Sequence, residues 1–184
     1  MITGVSGLVD TARGNGGTPL WDGTSGITTS DSRAQGSNLV SIGVAKVGDF
    51  NGIADGATTT FAGQTVLGSD TVAMVTWGGD ATLDGKINID DYGRIDANVS
   101  QSGSVFGWYN GDFNYDGAIN IDDYGIIDGN ISKQGEAFPT AGTALAGAAL
   151  ATADGVSAVP EPASLSLVAM GAMGMMRRRR RVVN

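Results

Sequence analysis

Apolar and polar residues alternate along three stretches in the first part of the chain. These stretches are residues 38–46, 58–67 and 71–77, and each carries β-branched or other apolar side chains at every second position. A period of two residues places such side chains on one face of a β-strand. The pattern therefore predicts a small β-rich region within residues 1–77.

The same region contains one short predicted helix and one turn-rich segment. The helix falls at residues 28–35, where Thr29 or Ser30 can cap its N-terminus and Asp31 suits its first turn. Residues 14–26 are rich in Gly and Thr and are predicted to be irregular.

From residue 78 onward the sequence contains an internal repeat. The two copies align without gaps, so that Asp80 in the first copy corresponds to Asp112 in the second. Residues 79–96 realign with residues 111–128. In each copy a polar run precedes apolar residues at spacings of three and four, namely Tyr92, Ile95, Val99 and then Tyr124, Ile127, Ile131. This spacing predicts one short helix behind each polar run. Because neither helix can bury its apolar stripe alone, we expect the copies to pack face to face with pseudo-twofold symmetry.

The two polar runs place oxygen atoms in the register of a twelve-residue calcium loop. Calcium takes six to eight oxygen ligands, supplied from loop positions 1, 3, 5, 7, 9 and 12. In the first loop these positions are Asp80, Thr82, Asp84, Lys86 through its carbonyl, Asn88 and Asp91. In the second loop they are Asp112, Asn114, Asp116, Ala118 through its carbonyl, Asn120 and Asp123. We predict two bound Ca²⁺ ions; the alternative is a pair of Asx-rich turns, which need only one or two such residues.

Other loop positions refine this prediction. Gly85 and Gly117 stand at position 6, where the chain must turn sharply. Ile87 and Ile119 stand at position 8, where we expect the side chain in the core and the backbone paired with the other loop. Because the hydroxyl of Thr82 is a poorer ligand than an amide or carboxylate oxygen, we expect the first loop to be the weaker one.

Composition and charge limit the remaining chemistry. The chain has 184 residues and a formal charge of −8, and five of its eleven basic residues form one C-terminal run. The acidic body disfavours nucleic acid as a partner. The sequence contains no His and no Cys, so oxygen ligands and hard cations are what remain. Its only glutamates are Glu136 and Glu161, and no nucleophile–base pair is apparent, so we predict a chain without catalytic activity.

The second copy of the repeat, GDFNYDGAINIDD, resembles a type I dockerin repeat. The paired loop–helix arrangement of residues 78–135 is similar to that family as a whole. The resemblance implies an EF-hand-like fold, two calcium ions and a cohesin-like partner. Where cellulosomal dockerins contact cohesin through Ser/Thr pairs and basic residues, this chain has Ile89, Asp90, Ile121, Asp122, Asp96 and Asp128.

The C-terminal tail has three consecutive parts. A Pro160-Glu161-Pro162 motif is followed by an apolar run over residues 165–176, and then by Arg177, Arg178, Arg179, Arg180 and Arg181. The apolar run is shorter than the roughly 20 residues of a permanent membrane span, and the basic cluster would hold its end on the cytoplasmic side. This order resembles the PEP-CTERM sorting signal of bacterial exported proteins. The resemblance implies recognition by an exosortase-type enzyme and membrane contact before processing; an ordinary tail anchor is the alternative.

We therefore predict an α+β chain with four segments. These are a β-rich segment (1–77) that ends a larger passenger, a dockerin-like calcium domain (78–135), a flexible linker (136–159) and a sorting tail with a short apolar helix (160–184). We expect a non-catalytic module of the cell envelope, outer surface or extracellular matrix that docks a partner or braces its neighbour. The alternative is the remnant of a secreted polysaccharide-degrading enzyme. Residues 1–10 lack the pattern of a secretion signal, so we expect that signal outside this sequence.

Overall fold

Five α-helices and four β-strands lie in residues 2–14, 21–23 and 25–140, the part of the chain that this computed structural model describes. The strands are β1 (Val40–Lys46), β2 (Thr58–Phe61), β3 (Gln64–Leu67) and β4 (Thr71–Trp77). The helices are α1 (Gly4–Arg13), α2 (Ser32–Gln35), α3 (Val47–Asn51), α4 (Ile89–Asn98) and α5 (Ile121–Ile131). The expected combination of helices with a small amount of sheet is confirmed.

The strands form two separate antiparallel pairs. β1 pairs with β4 in a register that sets Val40 opposite Trp77, and β2 pairs with β3. The predicted strand over residues 58–67 is a hairpin instead, because the chain reverses at Ala62 and Gly63. Both residues have positive φ angles, 49° and 76°, as a tight two-residue hairpin turn requires.

Helix α1 is absent from the sequence-based prediction. Val9 and Ala12 lie on its inner face and are fully buried, but Gly4 and Gly7 weaken the helical signal in the sequence. The helix ends at Gly14, whose φ of 103° is left-handed.

Helix α2 is shorter than the predicted segment 28–35. Its N-cap is Asp31, whose carboxylate accepts a 2.9 Å hydrogen bond from the backbone N–H of Arg33. The expected caps, Thr29 and Ser30, precede the helix. Asp31 is favoured over Thr29 and Ser30 as the cap, because its carboxylate also pairs with the Arg33 guanidinium at 2.6 Å.

The apolar core runs without a break from the β1–β4 sheet into the repeat. β1 is buried from Val40 to Ala45, so the expected alternation of buried and exposed residues is lost there. Tyr115 of the repeat donates a 2.7 Å hydrogen bond to the carbonyl of Ile42, and the indole of Trp108 lies over Gly43, where a Cβ would approach it within 2.6 Å. The repeat therefore covers one face of β1.

The described residues all belong to the first of two compact units, Met1–Ala146. Within the described ranges, no helix has the length and apolar character needed to cross a membrane. The predicted tail, residues 160–184, and most of the predicted linker lie outside the described residues.

Candidate metal centres

The two loops of the repeat have the same backbone conformation. Gly85 and Gly117, at position 6, have φ angles of 89° and 84°, as expected for the sharp turn. Leu83 and Tyr115, at position 4, have φ angles of 58° and 60°, a conformation that costs a non-glycine residue about 1–2 kcal/mol. Both side chains are buried in the core, and that burial offsets the cost.

In the first loop, the carboxylate at position 1 is fully buried and bonded within its own loop. Asp80 accepts hydrogen bonds from the N–H groups of Asp84 at 3.2 Å and Gly85 at 2.9 Å. The hydroxyl of Thr76, in β4, donates to the same carboxylate. The indole N–H of Trp108 donates to the Asp80 carbonyl at 2.5 Å, so this end of the loop is attached both to the sheet and to the segment that leads into the second copy.

In the second loop, Asp112 holds the equivalent position and is also fully buried. Its Oδ2 accepts hydrogen bonds from the N–H groups of Gly107 at 3.1 Å and Gly117 at 3.2 Å. Its Oδ1 is buried and has no hydrogen-bond partner among the described residues. A buried carboxylate oxygen without a donor is costly, and a bound cation would remove that cost.

The carboxylates at position 12 join each loop to the helix that follows. Asp91 accepts a 2.8 Å hydrogen bond from the N–H of Asn88, and Asp123 accepts a 2.9 Å bond from the N–H of Asn120. The two asparagine side chains in turn accept an N–H from the first turn of α4 and α5, completing two capping boxes. Asp91 and Asp123 are both fully buried. The loop residues at positions 9 and 12 therefore also begin the helices.

The residues at position 3 also bond to the position 12 carboxylate. Thr82 donates both its N–H and its hydroxyl to Asp91 at 3.0 Å. Asn114 donates its N–H to Asp123 at 3.3 Å. The ligand positions 3 and 12 thus lie side by side in each loop.

The residues at positions 5 and 7 lie at the solvent side of each loop. Asp84 accepts the N–H of Lys86 and Asp116 accepts the N–H of Ala118, both at 2.8 Å. Among the described residues, no group of three or more acidic side chains is placed to hold a metal ion. A site here would also need amide, hydroxyl and carbonyl oxygens.

Burial sets the electrostatics of the loops. Loss of solvent raises the pKa of Asp80 to about 7, that of Asp112 to about 6 and that of Asp123 to about 7. The pKa of Asp91 is raised for the same reason. Nearby carboxylates raise these pKa values further, whereas hydrogen bonds from backbone N–H groups and from the Thr76 and Thr82 hydroxyls lower them. Oxygen donors beside buried carboxylates are the ligand type that a hard cation such as Ca²⁺ takes, so the donor chemistry of the loops is compatible with that ion.

The expected backbone pairing of the two loops through position 8 is wrong. The N–H and carbonyl of Ile87 both bond to the side-chain amide of Gln134, at 2.7 and 2.8 Å. The N–H of Ile119 donates to the hydroxyl of Ser102 at 2.8 Å. Ser102 and Gln134 are equivalent positions of the repeat, so each copy supplies, from behind its helix, the partner for the other copy's loop. The isoleucine side chains are buried as expected.

Further contacts between the copies are reciprocal. A Cβ at Gly79 would meet Ile127 at 2.9 Å, and a Cβ at Gly111 would meet Ile95 at 2.7 Å. Gly79 of the first copy contacts Ile127 of the second, and the equivalent Gly111 of the second contacts Ile95 of the first. A twofold relation between the copies requires such pairs of equivalent contacts. The apolar stripes are shorter than expected, because Ile95 and Ile127 are fully buried while the last members of each stripe, Val99 and Ile131, are more than one-third exposed.

Several residues of this site were missed by the sequence analysis. Ser102 and Gln134 become visible if the repeat offset is followed past the helices. The contribution of Arg13 has no signal in the sequence. Its guanidinium, carried by α1 and almost fully buried, donates to the carbonyl of Asn114 at 2.5 Å.

The predicted sorting residues Pro160, Glu161, Pro162 and Arg177 to Arg181 lie outside the described residues. Comparison with known protein families matches residues 158–181 to the PEP-CTERM protein-sorting motif. No curated protein matches the chain. No solved structure matches it. The chain thus carries a PEP-CTERM sorting motif, which supports an exported protein that an exosortase recognises and processes at the membrane.

Proposed function

We propose that residues 78–135 bind two calcium ions in a dockerin-like arrangement. In this proposal the chain is a non-catalytic, calcium-stabilised part of an exported surface or matrix protein. The observation that carries the proposal is the burial of four carboxylates at positions 1 and 12, those of Asp80, Asp91, Asp112 and Asp123. One of them, Asp112, keeps a buried oxygen without a hydrogen-bond donor among the described residues.

Calcium binding and folding should be coupled at these loops. Buried carboxylates destabilise a fold when they are ionised and unpaired, and an ion that binds only the folded state stabilises it by mass action. The pKa of Asp80 is raised to about 7 by burial, so near neutral pH the ion-free loop either keeps a proton or buries a charge. A calcium ion removes this conflict by supplying the missing positive charge.

The contacts of the repeat favour a bracing role within the exported protein. Tyr115 and Trp108 pack against β1, and the hydroxyl of Tyr109 donates to the carbonyl of Asp49 at 2.6 Å. Calcium bound in the second copy would therefore stabilise the sheet as well as the repeat.

A second candidate function is docking to a cohesin-like partner. Ile89 and Ile121, both at position 10, are 79% and 77% exposed although they are large and apolar. A purified cohesin domain should then bind in calcium, and the double change Ile89→Asp, Ile121→Asp should abolish binding without altering the calcium titration. Absence of binding to cohesin in calcium would leave bracing as the role of the repeat.

Two features support the absence of catalysis in this chain. The sequence has no His and no Cys, which removes the commonest general base and the thiolate nucleophile. The buried carboxylates already accept hydrogen bonds from their own loops. The alternative, a remnant of a polysaccharide-degrading enzyme, assigns catalysis to a part of the protein outside this sequence.

Calorimetric titration and thermal melting of the purified chain test the calcium proposal. We expect two binding events and a higher melting temperature in calcium than in EDTA. Asp123→Asn should reduce both effects, whereas Asp122→Asn should preserve them, because Asp122 is an exposed carboxylate next to Asp123 but outside the ligand positions. Lack of both binding heat and a melting shift at millimolar calcium would refute the proposal.

A further inference from the structure

The guanidinium of Arg13 lies against the second loop, although 101 residues separate it from its partner Asn114. It is 2% exposed. One nitrogen donates to the carbonyl of Asn114 at 2.5 Å, and the other donates to Oδ1 of Asn38 at 2.7 Å. Helix α1 therefore fixes the backbone of the second loop at position 3.

The charge of this arginine is offset by acidic residues of its own helix and of the second loop. Arginine stays protonated at neutral pH, and a buried charge needs partners of opposite sign. Burial lowers the pKa of Arg13, while the negative charges of Asp10, Asp112 and Asp123 act in the opposite direction. Arg13 and the carboxylates of the second loop thus offset part of each other's charge.

The first loop has no equivalent of this residue. Within the described ranges, no basic side chain donates a hydrogen bond to residues 80–91. Lys86 lies in that loop, but its side chain is exposed. The two loops are therefore alike in backbone and ligand positions and unlike in charge balance.

We propose that Arg13 is a built-in positive charge and a positioning residue for the second loop. By holding the Asn114 carbonyl and offsetting Asp112 and Asp123, it keeps the second loop in shape before any cation binds. The first loop lacks such a charge and depends on the ion for its order. The ion-dependent half of this inference rests on the proposed function; the role of Arg13 without calcium does not.

Hydrogen exchange of the full chain, in EDTA and in calcium, tests this inference. The informative amides are those of Phe113 and Asn114 in the second loop and Thr82 and Gly85 in the first, because each donates to a loop carboxylate. In EDTA the first-loop amides should exchange faster than those of the second loop. Arg13→Met should accelerate second-loop exchange roughly tenfold, the effect of losing one well-formed buried interaction, and change the first loop by less than about twofold.

The conservative change and the cation separate positioning from simple packing. Arg13→Lys should give intermediate exchange, because a single ammonium group keeps the charge but cannot reproduce the two-armed contact. Calcium should restore second-loop protection in Arg13→Met, since the ion supplies the missing charge. Lys46→Met is the matched control, because that cation pairs at the surface with Asp55, and it should leave both loops unchanged.

Distinct outcomes separate the two proposals. Unchanged second-loop exchange in Arg13→Met, or equal acceleration of both loops, would overturn the role of Arg13. If Arg13→Met does not fold, Arg13→Lys decides, and wild-type exchange in that variant would likewise overturn the role. Failure of calcium to protect either loop in the unaltered chain would instead refute calcium binding, while the EDTA comparison would still decide the role of Arg13.

Discussion

The hydroxyl of Tyr92, on α4, donates a 2.6 Å hydrogen bond to the carboxylate of Asp128, on α5. The same bond occurs in the opposite direction between Tyr124 and Asp96 at 2.5 Å. Tyr124 is the repeat equivalent of Tyr92, and Asp128 is that of Asp96. The helices are thus linked at two equivalent points, and the two aspartates face the other copy of the repeat.

Loss of either tyrosine hydroxyl should weaken the helix pair. We expect Tyr92→Phe to lower the free energy of unfolding by about 1 kcal/mol, the usual net contribution of one hydrogen bond. A double-mutant cycle with Asp128→Asn, followed by urea unfolding in calcium, measures the coupling of this pair. Strictly additive losses would show that the hydrogen bond contributes nothing to stability.

The same bonds predict a loss of stability at alkaline pH. Burial and the bond to Asp128 raise the pKa of Tyr92 to about 12, and the bond to Asp96 with burial raises that of Tyr124 to about 12. The folded state therefore holds these protons more tightly than the unfolded state, whose tyrosines titrate near 10. The stabilisation is complete below pH 10 and is lost as the pH rises toward about 12.

Urea unfolding in calcium, from neutral pH to about pH 12, measures this loss. The double variant Tyr92→Phe, Tyr124→Phe is the control and should lose less stability over the same range. An identical pH profile in the control would assign the loss to other groups.

Replacement of glycine by alanine should stabilise the protein at Gly93, where there is open space, and destabilise it at Gly43, which is closely packed. Gly93 is an exposed residue of α4, and a methyl group added there would have no atom within 4 Å. Gly93→Ala should therefore raise the free energy of unfolding by about 0.4–1 kcal/mol through helix propensity and unfolded-state entropy. At Gly43 a Cβ would lie 2.6 Å from the buried indole of Trp108, so Gly43→Ala should cost about 1–3 kcal/mol. Thermal and urea unfolding of both variants measures the contrast, and stabilisation by Gly43→Ala would contradict the packing of Trp108 on β1.

The two loops should differ in their sensitivity to loss of a ligand. Asp112→Ala removes a buried carboxylate whose Oδ1 has no donor among the described residues, whereas Thr82→Ala removes a hydroxyl that already bonds to Asp91. We expect Asp112→Ala to cause the larger loss of calcium affinity, measured by calorimetric titration. Equal losses from the two changes would contradict this ranking.

Local patterns in the sequence were sufficient to predict the elements of the repeat and the strand that precedes it. The helices after each polar run, the glycine turns and the strand over residues 71–77 follow from short-range spacing, which a sequence displays directly. The hairpin within residues 58–67 was missed, because Ala62 adopts a positive φ that alanine rarely takes. Helix α1 was missed because Gly4 and Gly7 lower the helix propensity of its sequence, although Val9 and Ala12 on its inner face are fully buried.

The sequence by itself determined the repeat offset, the order of oxygen-bearing residues in both loops and the sorting motif at residues 158–181. These features depend only on which residues stand at which interval. The tertiary structure decided which distant groups complete each loop. Gln134 rather than the other loop satisfies the backbone of Ile87, and Arg13 meets the carbonyl of Asn114. A buried polar group needs a hydrogen-bond donor or acceptor, and that partner can come from any part of the chain that the fold brings close. Short-range sequence patterns therefore do not identify such partners.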